Sequence, residues 1–406
     1  MLAALGAAGT AAALVRYWPE QGFINPCRAL LPPELTRHAL IGAAWEGIDA
    51  RKAWDCHVHL VGTGDSGSGI RINPAMESLA NPLQYAQRLF YLNAGCAHDA
   101  PGRVDESYLE RMRNLVDGLA QGAKLLLFAL DCVVDASGEE RLQDTSIYVP
   151  NRYAAQTARR YPDYFEWAAS IHPYRRDCVE RLASAHAQGA RAVKWLPSAM
   201  GMDPASRRCD RFYAELARRG LPLITHAGRE LAIGSAFPQN LGNPLRLRRA
   251  LEHGVRVVVA HCASLGADID LDAGPNAQEV ESFSLFARLM EEPRWKKLLF
   301  GDLSALPQVH RAVPYLERVL ERAHWHARLL NGSDYPLPGV MPIYSVERLA
   351  ERGLIERTAA PVLKRIREHS PLLFDFVLKR SLRLAGRGFP ASVFETRGFF
   401  EPHPNA

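Results

Sequence analysis

A short pattern that recurs along this chain constrains its fold more than any other feature: an amphipathic helix, then a glycine, then an apolar strand. Glycine placed just past a helix ends it, because glycine adopts the left-handed conformation at low cost. The strands that follow are apolar runs with little alternation, which is typical of parallel strands buried on both faces. The clearest repeats place Gly122, Gly189, Gly220 and Gly254 before strands predicted over residues 124–130, 191–196, 221–226 and 255–261.

Further apolar runs bring the predicted strands to eight. Helical patterns separate nearly all of them, and eight βα units in sequence favour a closed ring over an open sheet, which usually has fewer strands. The sequence therefore predicts the α/β class, as a (β/α)8 TIM barrel. The further strands are predicted over residues 54–60, 165–172, 298–306 and 327–334, and the clearest helices over 108–121, 177–188, 204–219 and 244–253.

The chain divides around this barrel into three predicted parts. Residues 51–340 would form the metal-binding barrel, residues 1–50 an N-terminal apolar segment and lead-in, and residues 341–406 a C-terminal helical extension packed on the barrel. Residues 61–105 form a long segment after the first strand, rich in glycine and serine at its start and interrupted by prolines. A loop of that length inside a compact domain is usually a lid or a binding loop.

The charge pattern argues against a nucleic-acid-binding protein. The formal net charge is +5 and is spread thinly along the chain. The basic run over residues 246–249 includes an apolar residue and lies among apolar neighbours at helical spacing, which indicates a solvated helix face. We therefore expect a small-molecule substrate and no nucleic acid. A homo-oligomer is expected only because dimers are common among soluble proteins.

The seven cysteines have neither CxxC nor zinc-finger spacing. Their odd number and their positions in apolar runs predict reduced, buried thiols and a cytoplasmic protein. Residues 1–15 leave an alternative open, because they are almost entirely Ala, Leu, Gly and Val. This segment is short for a membrane span and lacks a basic start, so it predicts an apolar helix, a weak membrane tether or an export signal.

Ligand-type side chains stand where several of the predicted strands end. The first strand ends in His57-Val-His59, and alternation along a strand points both histidines to the same face. His226, His261 and Asp334 close three later strands in the same way. In a barrel these strand ends converge at one mouth, and histidine with carboxylate is a donor set for zinc and similar cations. Together they predict a divalent metal site, whereas a single histidine there would more often be a core residue.

Lys194 is the other unusual residue, because it lies in the middle of an apolar strand where an unpaired ammonium is costly to bury. Two interpretations remain open from the residues alone. The lysine could pair with a nearby acid or reach the barrel mouth. Alternatively, it could be carbamylated and act as a carboxylate-like bridge between two metal ions.

This constellation resembles the amidohydrolase superfamily over roughly residues 50–340. In binuclear members of that superfamily, the HxH pair and the strand-eight aspartate bind one metal, the strand-five and strand-six histidines bind the other, and a carbamylated lysine bridges them. The resemblance therefore implies one or two divalent ions, with zinc as the first choice. The residues that carry it are His57, His59, Lys194, His226, His261 and Asp334.

Two motifs look closer to one branch of that superfamily, the relatives of aminocarboxymuconate semialdehyde decarboxylase. They are the Asp-x-His-x-His opening of the first strand and the Asn-Gly-Ser-Asp-Tyr-Pro ending of the last. In that branch a single zinc is typical, held by the HxH pair, the strand-five histidine and the strand-eight aspartate. The strand-six histidine there serves in catalysis, so the resemblance leaves the role of Lys194 open.

The resemblance implies a metal-dependent hydrolase. A bound zinc ion would lower the pKa of its water toward neutrality, and Asp334 would take that proton and return it to the leaving group. The metal would polarise a substrate carbonyl, assisted by His261 if that residue is not a ligand. Hydrolysis of an amide, ester or lactone bond is the first interpretation, because hydrolases use the full set that includes Lys194. Decarboxylation of an aromatic or unsaturated acid is the alternative, and a metal-stabilised binding or scaffold barrel is the non-enzymatic one.

Substrate-binding residues are harder to predict, because loop and strand-end polarity explains the candidates at least as well. Arg229, after the strand that ends in His226, could hold a substrate carboxylate through a bidentate pair of hydrogen bonds. His172 and Tyr335, near the ends of two other strands, are the remaining substrate-binding candidates. Further polar residues expected around the mouth are Asp131, Glu230, Asp302 and Ser304.

Overall fold

Eight short parallel strands form where the apolar runs predict them, in the computed structural model of the chain. Each is shorter than its predicted run, because residues at the ends leave the hydrogen-bonded ladder and join the loops. The strands are β1 (Trp54–His59), β2 (Lys124–Phe128), β3 (Phe165–Ala168), β4 (Val193–Trp195), β5 (Leu223–Thr225), β6 (Val257–Val259), β7 (Leu299–Asp302) and β8 (Leu329–Leu330).

The strands close into a ring. Parallel pairing runs in chain order from β1 to β3 and again from β4 to β8. Parallel bridges join these two sheets at both seams: Ala169, after β3, pairs with Val193 of β4, and Val58 of β1 pairs with Tyr335 beyond β8. The eight strands therefore follow one another around a barrel, and the TIM-barrel prediction is confirmed.

The structure describes residues 19–98, 100–234, 237–274, 277–311 and 313–401. Within these ranges, no helix is both long and apolar enough to cross a membrane. Residues 1–15, for which a tether or an export signal is predicted, lie outside the described residues. That prediction, like the division of the chain into three parts, stays a prediction.

Helices surround the strands at the places that the sequence indicates, with boundaries that differ by a few residues. The glycines that follow them lie in the left-handed region, with φ of 100° at Gly122, 87° at Gly189, 63° at Gly220 and 79° at Gly254. Other residues adopt this conformation only with strain, which explains the recurring glycine. The α-helices are α1 (Pro33–Thr36), α2 (Ala39–Trp45), α3 (Pro82–Ala94), α4 (Val104–Asp117), α5 (Asn151–Arg160), α6 (Cys178–Ala187), α7 (Pro197–Met200), α8 (Asp210–Arg218), α9 (Arg248–Glu252), α10 (Ser282–Glu291), α11 (Val313–Glu321), α12 (Val346–Glu351), α13 (Ala359–His369), α14 (Pro371–Ser381) and α15 (Arg397–Phe400).

Two apolar clusters hold the strands in place. A large one lies between the strands and the helices and includes side chains of α13 and α14, so these C-terminal helices share the main core. Each fully buried Leu- or Phe-sized side chain in it contributes about 1.5–3 kcal/mol. In the smaller one, Phe400 of α15 stacks on Trp54 at the start of β1, with ring centroids 6.3 Å apart. The smaller cluster comprises Trp54, Cys56, Leu126, Phe128, Ala168, Ala192, Ile224, Val258, Leu330 and Phe400.

The long segment after β1 carries α3 and is covalently attached to the N-terminal lead-in. A disulfide joins Cys27, before α1, to Cys96, just after α3. The other five cysteines are free and buried. The prediction that all seven are reduced is therefore wrong for this pair, because 69 residues separate the two in sequence and only the folding of α3 against the lead-in brings them together. The cytoplasmic localisation loses this support and stays a prediction, since disulfides persist mainly in oxidising compartments.

The double variant Cys27→Ser/Cys96→Ser is expected to be less stable than the wild-type protein by about 2–4 kcal/mol, because the disulfide closes a long loop in the unfolded chain. Urea denaturation followed by circular dichroism measures the difference. A reductant should lower the stability of the wild type to that of the double variant and leave the variant unchanged. Equal stability of the two proteins without reductant would mean that these sulfurs do not pair in solution.

Candidate metal centre

Three side chains from two neighbouring strands meet at the carboxyl end of the barrel. His57 and His59 belong to β1, and Asp334 follows β8. The Asp334 Oδ1 atom lies 3.1 Å from His59 Nε2 and 3.4 Å from His57 Nε2, and the two Nε2 atoms are 3.3 Å apart. One ligand atom from each residue lies within 4.8 Å of the other two. Two imidazoles and a carboxylate make an open three-ligand set, which is typical of catalytic rather than structural zinc sites.

The turn after β8 sets the Asp334 carboxylate against β1. The Asp334 amide donates to the His57 carbonyl at 2.9 Å, and the Ser333 amide donates to Asp55 Oδ1 at 2.8 Å. Gly332 lies so close to β1 that an added Cβ would stand 2.6 Å from the His57 Cβ. Glycine is therefore required at this position, because a side chain would push the turn away from the strand that carries both histidines.

Asp302, at the end of β7, orients the His57 ring. Its Oδ2 atom lies 2.9 Å from His57 Nδ1, and its Oδ1 atom accepts from the backbone amides of His261 and Ser304 at 2.7 and 3.0 Å. Because the carboxylate only accepts, His57 carries its proton on Nδ1, and the Nε2 lone pair is left for the ligand cluster. Burial, reinforced by the nearby Lys194, lowers the pKa of His57 to about 4. The ring is therefore neutral near pH 7, as a metal ligand must be.

Lys194 lies directly beside these ligands. Its side chain is fully buried, and its Nζ atom lies 3.2 Å from His57 Nε2 and 4.8 Å from the centre of the Phe128 ring. Burial lowers the pKa of the Lys194 amine. The part of the chain that the structure describes gives this amine no carboxylate in an ion pair. The geometry therefore offers no acid to pair with Lys194, and its carbamylation stays a prediction.

His226 and His261 form a second pair at the same mouth, with the His261 ring centroid 6.4 Å from that of His57. The His261 Nε2 atom lies 3.0 Å from His226 Nδ1, which lies 3.0 Å from a carboxylate oxygen of Glu230. The other ring nitrogens, His226 Nε2 and His261 Nδ1, are buried and have no hydrogen-bond partner among the described residues. The structure thus brings the predicted ligands together, but as a three-ligand cluster and a separate histidine pair.

These donors fit a divalent metal ion. A buried ring nitrogen without a partner is costly, and ligation would offset that cost. Although burial opposes its charge, the facing imidazoles and Arg311 hold the pKa of the Asp334 carboxyl well below its ordinary value. A neutral imidazole and an ionised carboxylate are the forms that bind zinc, manganese or iron. The protonation states of His57 and Asp334 are therefore those of metal ligands.

A family model described as amidohydrolase matches residues 54–366, which is more than half of the chain and contains every candidate ligand. The chain belongs to the amidohydrolase family. The resemblance inferred from the strand-end motifs is thereby confirmed, and with it the expectation of a metal-dependent family.

No curated protein matches the chain. Among solved structures, it is similar to an uncharacterised TIM-barrel protein from Bordetella bronchiseptica, at 19% identity over 77% of this chain and 98% of that one, with a TM-score of 0.43. A protein assigned as a 2-pyrone-4,6-dicarboxylic acid hydrolase from Pseudomonas putida is 17% identical over 80% and 97%, with a TM-score of 0.43. A 5-carboxyvanillate decarboxylase from Sphingomonas paucimobilis is 10% identical over 86% and 98%, with a TM-score of 0.45. These likenesses are too weak to transfer a substrate or a reaction.

Two adjoining cavities lie at the site of this family member, and two of the three ligands line the smaller one. The smaller, of about 50 Å³, is lined by His59 and Asp334. The larger, of about 290 Å³, is lined by Arg311 and mainly apolar side chains. Together they connect an apolar chamber with the ligand cluster, and α3 of the long segment after β1 forms part of the wall. The residues that line both cavities are Tyr91, Ala232 and Leu337.

The three residues predicted to bind substrate line neither cavity. Arg229 is exposed, and Tyr335 is fully buried. His172 belongs to a buried network, in which its amide donates to Asp131 at 2.7 Å and its Nε2 atom lies 3.0 Å from the Met200 carbonyl. The geometry therefore gives no support to these three predictions. Asp131 and His172 form hydrogen bonds that hold neighbouring segments of the fold together.

Sequence reasoning missed Arg311, which lines the larger cavity, and Tyr91, which lines both. A usable signal was present for the first of them. The mainly polar run Gln308-Val-His310-Arg311 lies in the loop after β7, just past Pro307, and βα loops at the carboxyl end of a barrel carry its functional residues. Tyr91 lies on an ordinary amphipathic helix, and nothing in its neighbourhood in sequence points to the site.

Proposed function

We propose that the chain is a metal-dependent hydrolase that cleaves an amide, ester or lactone bond of a small molecule. The observation that carries this proposal is the three-ligand cluster, since ligand atoms of His57, His59 and Asp334 lie within 4.8 Å of one another beside a cavity. Three protein ligands leave a coordination position free for water or substrate, which a closed four-ligand structural site does not. The cluster therefore supports catalysis over a metal-stabilised scaffold.

The chain's own residues would handle the protons of the reaction. A bound divalent cation would supply a Lewis acid for a carbonyl group and a more acidic water molecule. Asp334 is ionised, so it can accept a proton and then return it to the leaving group, as a general base and then a general acid. His261 has one ring nitrogen engaged by His226 and one without a partner among the described residues, so it is available to hydrogen-bond a substrate oxygen.

Decarboxylation of an aromatic or unsaturated acid is the second candidate, and two observations favour it. The larger cavity has mainly apolar walls, and an apolar environment disfavours a carboxylate relative to the neutral CO₂ that it would release. His261, the strand-six histidine, lies outside the three-ligand cluster, with its Nε2 atom 3.0 Å from His226 Nδ1, as the resemblance implies for the branch with one metal ion. Two ions bridged by a carbamylated Lys194 would instead favour hydrolysis.

Metal analysis of the protein purified with bicarbonate present, together with an activity panel, tests this proposal. A carbamate bridge predicts about two metal ions per chain in the wild type and about one in Lys194→Met. About one ion in both proteins would fit the three-ligand site alone. In that case cleavage of an ester, amide or lactone supports hydrolysis, and CO₂ release from an unsaturated acid supports the second candidate. No metal in either protein under any loading condition would contradict both reactions.

A further inference from the structure

Arg311 is a buried cation for which the described residues provide no anion. Its side chain is only 5% exposed, and its Nε and Nη1 atoms have no hydrogen-bond partner within the described ranges. Two other buried arginines are satisfied: Arg175 donates to both oxygens of Asp131, and Arg367 donates to three backbone carbonyls. An unpartnered buried guanidinium is costly, so its retention indicates a partner that is not part of the chain.

The side chain of Arg311 faces the site. It follows β7 in a short 3-10 turn, Val309–Arg311, and lines the larger cavity. The larger cavity shares three lining residues with the smaller cavity, which His59 and Asp334 line. The guanidinium and the ligand cluster therefore face adjoining cavities that one small molecule could span.

The two carboxylates that face the site histidines, Asp334 and Glu230, already have partners. Asp334 faces His57 and His59, and the carboxylate of Glu230 contacts a ring nitrogen of His226 and accepts from two backbone amides. Neither forms an ion pair with Arg311 among the described residues. An anion from outside the chain would supply the missing hydrogen bonds, and guanidinium groups hold carboxylates through paired N–H donors.

The walls around Arg311 define the rest of the ligand. They are mainly aliphatic and aromatic and include Phe90, Leu265, Val340 and Ile343. We propose that Arg311 is a specificity-determining residue that binds a carboxylate on an apolar small molecule and holds that molecule's reacting group toward the metal ligands. This inference rests on the proposed function, because it names the substrate class of the same site. It also moves the carboxylate-binding role from Arg229, which is exposed, to Arg311.

Benzoate and its neutral analogue benzamide are suitable probes for isothermal titration calorimetry on the metal-loaded protein. Benzoate is expected to bind the wild type more tightly than benzamide does. Arg311→Met should weaken benzoate binding by about tenfold or more, the effect expected for loss of a charge-assisted pair of hydrogen bonds, and leave benzamide binding unchanged. Arg311→Lys keeps the charge but loses the planar guanidinium group, so its affinity for benzoate should lie between those of the wild type and Arg311→Met. Arg229→Met serves as the matched control and should bind benzoate as the wild type does.

The melting temperature separates this role from a structural one, because loss of an arginine that stabilises the fold would lower it. Ligand-free Arg311→Met should melt at or above the wild-type temperature, because it no longer buries an unpartnered charge. The proposal is overturned if benzoate binding is unchanged in Arg311→Met, if the loss occurs in Arg229→Met instead, or if the wild type does not prefer benzoate.

The same titration in the His59→Ala background keeps this inference separate from the proposed function. Preference for benzoate that depends on Arg311 and persists without bound metal would support the anion site even if metal-dependent catalysis failed. Metal-dependent activity without any preference for benzoate would give the opposite result. It would support the proposed function and contradict the assignment of a carboxylate-bearing substrate.

Discussion

His59→Ala is expected to lose its bound divalent metal and about a thousandfold in kcat/KM, which corresponds to about 4 kcal/mol of transition-state stabilisation. The side-chain contacts of His59 explain why the effect should be confined to the site. Its Nε2 atom lies 3.1 Å from Asp334 Oδ1 and 3.3 Å from His57 Nε2, and it forms no side-chain hydrogen bond elsewhere in the described chain. Its removal leaves two ligands, too few for a stable site of this kind.

Elemental analysis and steady-state kinetics on the same preparation measure this prediction. His324→Ala is the matched control, because it removes an imidazole whose side chain is 60% exposed and forms an ion pair with the surface residue Glu291, away from the ligand cluster. The control should keep both metal and activity, and both variants should show the circular dichroism spectrum of the wild type. Full metal content in His59→Ala would mean that the ion is bound elsewhere and would remove the observation on which the proposed function rests.

The barrel was predictable because its strands are buried on both faces and therefore read as uninterrupted apolar runs. That same property makes polar residues conspicuous in them. His57, His59 and Asp334 stand at strand ends, where sequence position alone predicts that they converge. The seams of the ring also follow from the order of the strands, since β8 returns to β1 only in a closed barrel.

Contacts between distant segments were not predictable in the same way. Asp302 was expected only as a polar residue near the mouth, and its role in fixing His57 depends on the closure of the ring, which brings the carboxyl end of β7 near β1 although β8 lies between them. His172 stands near a strand end like a ligand, but its amide is engaged by Asp131, which Arg175 holds by two hydrogen bonds. The pairing of Cys27 with a cysteine 69 residues away has no local signal at all.

Asp302→Asn is expected to weaken metal binding by about 10- to 100-fold, although the replaced residue is not a ligand. The reason is the number of donors that its carboxylate satisfies. Oδ1 accepts from the backbone amides of His261 and Ser304 and from the Ser304 hydroxyl, and Oδ2 accepts from His57 Nδ1. An asparagine has only one oxygen, which would stay with the two backbone donors, so its NH₂ group would face His57 Nδ1.

That exchange would reverse the His57 tautomer. Facing a donor, Nδ1 would give up its proton and accept, and the proton would move to Nε2, the nitrogen that points into the ligand cluster. A protonated Nε2 cannot bind a metal. Asparagine has nearly the volume of aspartate, so the fold should persist, and competition with a chelator should reveal the loss of affinity at unchanged secondary structure.

Asp268→Asn is the matched control for this variant, since Asp268 is also buried and accepts from Ser282 Oγ at 2.7 Å, outside the site. It should retain wild-type metal affinity even if its melting temperature falls. A structural role for Asp302 would lower stability and affinity together, and higher metal concentrations would not restore activity. If the loss of affinity comes from the reversed His57 tautomer, Asp302→Asn should instead regain activity as the metal concentration rises. Wild-type affinity in Asp302→Asn would show that this carboxylate does not orient His57.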